Sequence, residues 1–161
     1  MYNLKVTEWY KIMNIIENIS SIMNRAQFCN EFLYIIKNII PFDYGHFTFY
    51  DQENNLLPIS YRYNIEDKTH QSYLKYYKDL DHLRIKKFDT KKPKKGSDII
   101  DYRKWKKSEY FNDFFLKNNF YYISLTDVHY KDQLLSSISL IRNKKSYDFS
   151  DKELIYMQIL I

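Results

Sequence analysis

The sequence predicts an α+β fold: one antiparallel sheet with helices packed on it. Three observations carry this. Apolar residues recur at helical spacing in some blocks and alternate in others. The alternating blocks come in pairs joined by turn-like residues, as antiparallel hairpins do. The chain has 161 residues, enough for one domain around one core, without a disulfide or metal staple.

The elements follow in order. In "TEWYKIMNIIENISSIMN", Trp9, Ile12, Met13, Ile16, Ile19 and Met23 fall at helical spacing, with Thr7 as N-cap. A second helix starts at Asn24, with Gln27 as its reciprocal partner. Its apolar stripe is Phe28, Phe32, Ile35, Ile36 and Ile39, and Pro41 ends it. "YGHFTFYD" then sets Phe47 and Phe49 on one face and His46, Thr48 and Tyr50 on the other. "LLPISYRY" sets Leu57, Ile59, Tyr61 and Tyr63 against Pro58, Ser60 and Arg62. These two runs read as a hairpin, and Pro58 calls for the second to be an edge strand or to turn that position outward.

"EDKTHQSYLKYYKDL" reads as a polar helix with Leu74 and Tyr77 facing in, and "KKFDTKKPKKG" as a charged loop. Short helices are expected at "YRKWKK" and "SEYFNDFFLKN". "FYYISLTDV" and "QLLSSISLI", joined by "HYKD", form a second hairpin. The last helix opens with a capping box, Ser150 with Glu153, inside a staple of Phe149 and Leu154. It has no closing glycine, lysine or polar tail, so the chain is expected to continue past Ile161.

Composition excludes several classes of function. The net charge of +5 is mild and comes mostly from lysine, which suits a solvated surface better than a base-reading head. Cys29 is the sole cysteine, so no internal disulfide forms and a reducing cytoplasm is the expected setting. It lies between apolar helix residues, as a packing residue does. No run reaches the ~20 apolar residues of a membrane span, and the N-terminus has no signal-peptide pattern.

His46, His70, His82 and His129 share no ligand spacing, so no metal is expected. Gly45 and Gly96 stand alone, outside any phosphate-cradling loop. No serine occupies a Gly-x-Ser-x-Gly elbow. Asp79 and Asp81 in "KDLDH" read as a helix-terminal turn. No catalytic residue and no cofactor are therefore assigned, and an enzyme is not expected.

Three segments carry a resemblance: "IIPFDYGHFTFYD", "SDIIDYRKWKKSEYFNDFFLKNNFYY" and "SISLIRNKKSYDFSDKELIYMQIL". From Cys29 to Ile161 the chain resembles the GAF-like sensor domain at the N-terminus of bacterial LuxR-type helix-turn-helix transcriptional regulators. The resemblance implies a GAF/PAS-like central antiparallel sheet. A pocket would lie on one face, and the first and last helices on the other. It also implies a cytoplasmic homodimer built on those helices, here through Trp9, Ile12, Ile16, Leu154 and Met157. Residues 1–161 would form the single sensor domain, and DNA would be touched only by a helix-turn-helix domain beyond residue 161.

The acyl-homoserine-lactone receptors of the wider group carry a Trp, a Tyr and an Asp-Pro in the region of "SYLKYYKDLDHL". Asp81 matches the aspartate, but His82 replaces the proline and no tryptophan precedes it; Tyr73 and Tyr77 are approximate counterparts. Cyclic-nucleotide GAF domains close with Asn-Lys, Phe and Asp-Glu. "NKKSYDFSDKE" has Asn143, Lys144 and Phe149 but displaces Asp151 and Glu153 from that spacing.

The pocket is expected between the sheet and the segment from Ser97 to Asn118, holding an unknown small-molecule effector. Tyr122, Ser124 and Thr126 share one strand face, and Ser137 and Ser139 share another; small hydroxyl residues leave room and supply hydrogen bonds. Trp105, Phe111 and Phe114 would close the top, with Tyr61, Tyr77 and Asp81 completing the lining. Phe111, Phe114 and Phe115, at i, i+3 and i+4, equally suit the core face of a helix. An alternative is a ligand-free dimerisation or interaction scaffold, distinguished by an interior filled with side chains. The runs "KKPKK" and "YRKWKK" read as solvated charge rather than a nucleic-acid grip.

Overall fold

The computed structural model describes residues 4–85 and 92–161. Its elements are α1 (Val6–Ser20), α2 (Arg25–Ile36), β1 (Tyr44–Tyr50), β2 (Leu56–Tyr63), α3 (Asp67–Lys75), α4 (His82–Ile85), β3 (Lys94–Lys95), α5 (Gly96–Ile99) and α6 (Tyr102–Trp105). A π-helical turn, Tyr110–Phe115, follows, then β4 (Tyr122–Tyr130), β5 (Gln133–Arg142) and α7 (Asp151–Leu160). The strands form one antiparallel sheet in the order β2-β1-β5-β4-β3.

Both expected hairpins are present, and β2 lies at the sheet edge, where Pro58 leaves no inner ladder bond unmade. The second hairpin turns through Lys131 and Asp132, both with positive φ (47° and 64°), the left-handed pair that a two-residue hairpin turn needs. Of the expected charged loop, residues 86–91 lie outside the described residues, and Lys94–Lys95 add a short strand beside β4.

The two sheet faces bury different cores. One carries Phe47, Ile138 and Leu140 against α1, α2 and α7 through Ile12, Phe32 and Met157. The other carries Ile123 and Ile141 beneath an aromatic cluster of Trp105, Tyr110, Phe114 and Phe120. Gly45 sits where α2 reaches the sheet: a Cβ there would lie 2.8 Å from a Leu33 methyl. The first and last helices thus share one face, as expected.

Helix ends differ in detail. Helix α1 is capped by Lys5, whose amide donates to Glu8 at 2.8 Å; Thr7 already lies inside the helix. Asn24 Oδ1 accepts from the Gln27 amide at 3.0 Å, which opens α2. The Ser150/Glu153 capping box forms as read, and Phe149 and Leu154 join the same core.

The inward face of α1 is a correction. Ile12, Ile15 and Ile19 are buried, whereas Trp9, Met13 and Met23 are exposed. Apolar residues surround this helix, so periodicity alone does not choose its buried side. In α3 the buried residues are Thr69 and His70, and Leu74 is only partly buried; Tyr77 lies beyond the helix end and packs against the aromatic core, as expected. Residues assigned to a dimer face are largely claimed within the chain: Ile12 and Met157 are fully buried, and Ile16 and Leu154 pack against the same cluster.

Candidate ligand-binding site

A cavity of about 540 Å³ lies on the sheet face opposite α1, α2 and α7. Its floor is the sheet and its walls are α3, the Asp81–Arg84 corner and the π-turn. Strand register lays the floor out in rows. Tyr44, Ile141 and Ile123 form an apolar row. Next come His46, Ser139 and Leu125, then Thr48, Ser137 and Asp127. Polarity therefore rises along the floor, from Ile123 toward Asp127 and His129.

The polar end is internally connected. Ser137 donates to the Asp127 carboxylate, and its hydroxyl also lies 3.4 Å from the Tyr50 hydroxyl. The His46 and His70 rings meet edge to face at 5.2 Å, and His70 Nε2 lies 3.2 Å from the Ser60 hydroxyl. Burial, then the nearby His70 and Arg62, hold the His46 pKa down to about 3, and burial lowers that of His70 as well. Both imidazoles are neutral near pH 7.

At the wall, Asp81 is buried and surrounded by donors. Tyr73 donates at 2.9 Å and the Leu83 amide at 3.0 Å, and the Tyr110 hydroxyl also hydrogen-bonds to it. Burial raises the pKa of Asp81 against the pull of these bonds. The residue caps α4 and fixes two tyrosines of the wall. Tyr110 stacks on Phe114 at 5.5 Å, and Phe115 meets Phe120 at 5.5 Å.

Asp81, Phe114 and Ser137 line this cavity, as does Ser139. The other seven residues assigned to the lining lie outside it, each for a physical reason. Trp105 and Phe111 form a second layer, with Trp105 4.9 Å from both Phe111 and Phe115. Tyr77 backs Phe114 at 4.9 Å. Tyr61 packs on Phe49 at 5.8 Å, and Tyr122 belongs to the same core, on the opposite sheet face. Ser124 and Thr126 share Tyr122's face by alternation and are buried. The parity along β4 was read correctly and its orientation inverted: Asp127, not Ser124, stands level with Ser137.

Sequence reasoning did not assign His46, Thr48, Tyr50, His70, Asp127 or His129 to the lining. The signal for the first three was present, since they alternate with the core residues Phe47 and Phe49. The segment from Ser97 to Tyr122 does wall the cavity, through Tyr110, Phe114, Phe115 and Phe120, while Lys104, Lys106 and Lys107 stay exposed.

The segments that carried the family resemblance close the fold. Asp43, at the entry to β1, accepts from the Asn143 amide at 2.9 Å and from its side chain at 2.8 Å. Asn143 is thus a clasp between β1 and the end of β5. Among the described residues, no three His, Cys, Asp or Glu side chains converge to hold a metal ion. Among them, too, no helix is long and apolar enough to cross a membrane.

No family model and no curated protein matches the chain. Solved structures share its fold. The ligand-binding domain of VqsR from Pseudomonas aeruginosa aligns over 97% of this chain and 90% of its own, with a TM-score of 0.65 and 15% identity. The N-acylhomoserine-lactone-dependent LuxR-family transcription factor CepR2 from Burkholderia cenocepacia aligns over 96% and 92%, with a TM-score of 0.65 and 10% identity. A GAF domain of the Acinetobacter phosphoenolpyruvate-protein phosphotransferase aligns over 98% and 89%, with a TM-score of 0.58 and 11% identity. The chain thus has the fold common to LuxR-type ligand-binding domains and GAF domains.

Proposed function

We propose that this chain is the small-molecule-sensing domain of a LuxR-type transcriptional regulator, acting in the cytoplasm and coupled to DNA through a domain beyond residue 161. The carrying observation is the cavity of about 540 Å³ on the sheet face away from the terminal helices. Its size and mixed lining suit a small organic molecule. It also favours sensing over the scaffold reading, which calls for a filled interior. The protein binds its effector without transforming it.

Coupling would run through β5. This strand supplies Ser137, Ser139 and Ile141 to the floor and ends in Arg142, which pairs with Glu153 at the start of α7. Helix α7 is in turn tied to α1: Tyr156 donates to Glu8 at 2.9 Å, and Lys152 pairs with the same carboxylate. A ligand that moves the floor biases the helix that leads out of the domain. Homodimerisation would use the outer stripe of α1 (Val6, Trp9, Tyr10 and Met13), which is apolar and exposed.

The test is a thermal-shift screen of small organic molecules against the chain and a Ser139→Phe variant, whose ring fills the floor. A sensor gives hits with the parent chain that vanish in the variant. Hits that persist in the variant, or a parent chain with no hits, would count against the cavity.

A further inference from the structure

Three histidines of the lining each bury a ring nitrogen that has no hydrogen-bond partner among the described residues: His46 Nε2, His70 Nδ1 and His129 Nδ1. A buried polar atom left unpaired is costly, and the large majority of such atoms in folded proteins are paired. Here they belong to three residues of one cavity lining, two of them in contact. His46 and His70 are in contact, while His129 lies four residues along β4 from Leu125, which is level with His46 across Ser139. That is about 13 Å at the rise of a strand.

The charge around them narrows the chemistry. A neutral imidazole offers one donor and one acceptor, and no positive charge. Burial keeps both His46 and His70 neutral. Among the described lining residues the one permanent cation is Arg84, and it is engaged: Nε donates to the Lys78 carbonyl at 3.1 Å, and the guanidinium pairs with Asp79. The described carboxylates of the lining are Asp81, Asp127 and Asp132. Arg62, close enough to act on His46 and His70, is in turn paired with Asp67, so no fixed cation among these described residues is free to compensate an anion, and burying an uncompensated charge is expensive. Aromatic rings at the other end, Phe114, Phe115 and Phe120, suit a flat apolar body.

Resting on the sensor reading, we infer that the cavity selects an uncharged, ring-containing ligand whose hydroxyl or amide group docks on the His46–His70 pair. The ligand completes hydrogen bonds that the protein leaves unmade, so the site carries a stability cost in the free protein that binding removes.

The experiment uses three probes of similar shape: naphthalene, 2-naphthol and 2-naphthoate, titrated calorimetrically into the 161-residue chain. The expected order puts 2-naphthol about tenfold tighter than either of the others. His46→Phe keeps the ring volume and removes the nitrogens. It should bring 2-naphthol down to the affinity of naphthalene, leave naphthalene unchanged, and give a thermal midpoint no lower than the parent. His46→Gln, which restores a polar group, should recover part of the preference and covers the case in which His46→Phe does not fold. If naphthalene matches 2-naphthol and neither variant alters the ratio, the cavity stands and the recognition by His46 falls. Tighter binding of 2-naphthoate overturns the exclusion of anions. If none of the three binds, the sensor reading falls with it.

Discussion

Arg142 and Glu153 join the end of β5 to the first turn of α7 in a contact of 2.5 Å, with both side chains largely withdrawn from water. The guanidinium also donates to the Pro41 carbonyl at 2.7 Å and lies 4.1 Å over the Phe149 ring. Glu153 meanwhile closes the capping box with Ser150. One side chain therefore holds a strand, a loop and a helix cap. Removing one member of such a pair strands the other, so Arg142→Ala should cost about 3 kcal/mol in urea unfolding.

The same pair sets an acid limit. Burial alone would raise the Glu153 pKa, but Arg142 and Ser150 outweigh it and hold it below the ordinary glutamate value of 4.5. A lowered acid contributes stability above its unfolded pKa and loses it as pH falls through the folded one. Unfolding midpoints of the parent should therefore fall below about pH 4.5 more steeply than those of Glu153→Gln.

His46 acts in a higher window. Unfolded, it takes up a proton near pH 6.5; folded, it stays neutral down to about 3. Stability should fall as pH drops through 6.5, by about 1.4 kcal/mol per pH unit for this one group. His46→Phe should flatten that slope between pH 6 and about 4, measured by denaturant titration at each pH.

Gly96 is a packing constraint behind the cavity. A Cβ there would stand 2.6 Å from the Ile123 Cγ2 methyl and 2.9 Å from the Tyr102 hydroxyl. Ile123 is part of the cavity floor and cannot easily retreat. Gly96→Ala should destabilise the fold by about 1–3 kcal/mol, and its thermal midpoint measures this directly.

The outer stripe of α1 makes a separable prediction. Tyr10 and Met13 are 73% and 55% exposed, so charge is tolerated there by the fold. A Tyr10→Glu/Met13→Glu double variant should sediment as a monomer with an unchanged circular dichroism spectrum, if the parent pairs through this stripe. A parent that is monomeric at high concentration removes that surface from the proposal.

Local signals in the sequence proved readable. The box of Ser150 and Glu153 and the alternation of Phe47 with His46 and Thr48 involve neighbours a few residues apart, where backbone geometry dictates the outcome. Orientation was not readable. Strand β4 is apolar on both faces, with Tyr122 and Val128 toward the helices and Ile123 and Leu125 toward the cavity. What decides between them is the pairing of Asp127 with Ser137, a relationship between distant residues. Trp105 misled for a related reason. A large ring beside a pocket is as useful in its second layer as on its surface, and no pattern along the chain separates the two.

The wall of the cavity is wound differently from its surroundings. In the Tyr110–Phe115 turn, the Leu116 amide reaches back to the Phe111 carbonyl, five residues away rather than four. The turn thus holds one residue more than an α-helix would, and this surplus lets Tyr110, Phe114 and Phe115 all face the cavity. An α-helical turn of the same six residues, at about 100° per residue, would turn Phe115 away from Tyr110 and Phe114, so the shape of the aromatic wall hangs on one extra residue in a single turn.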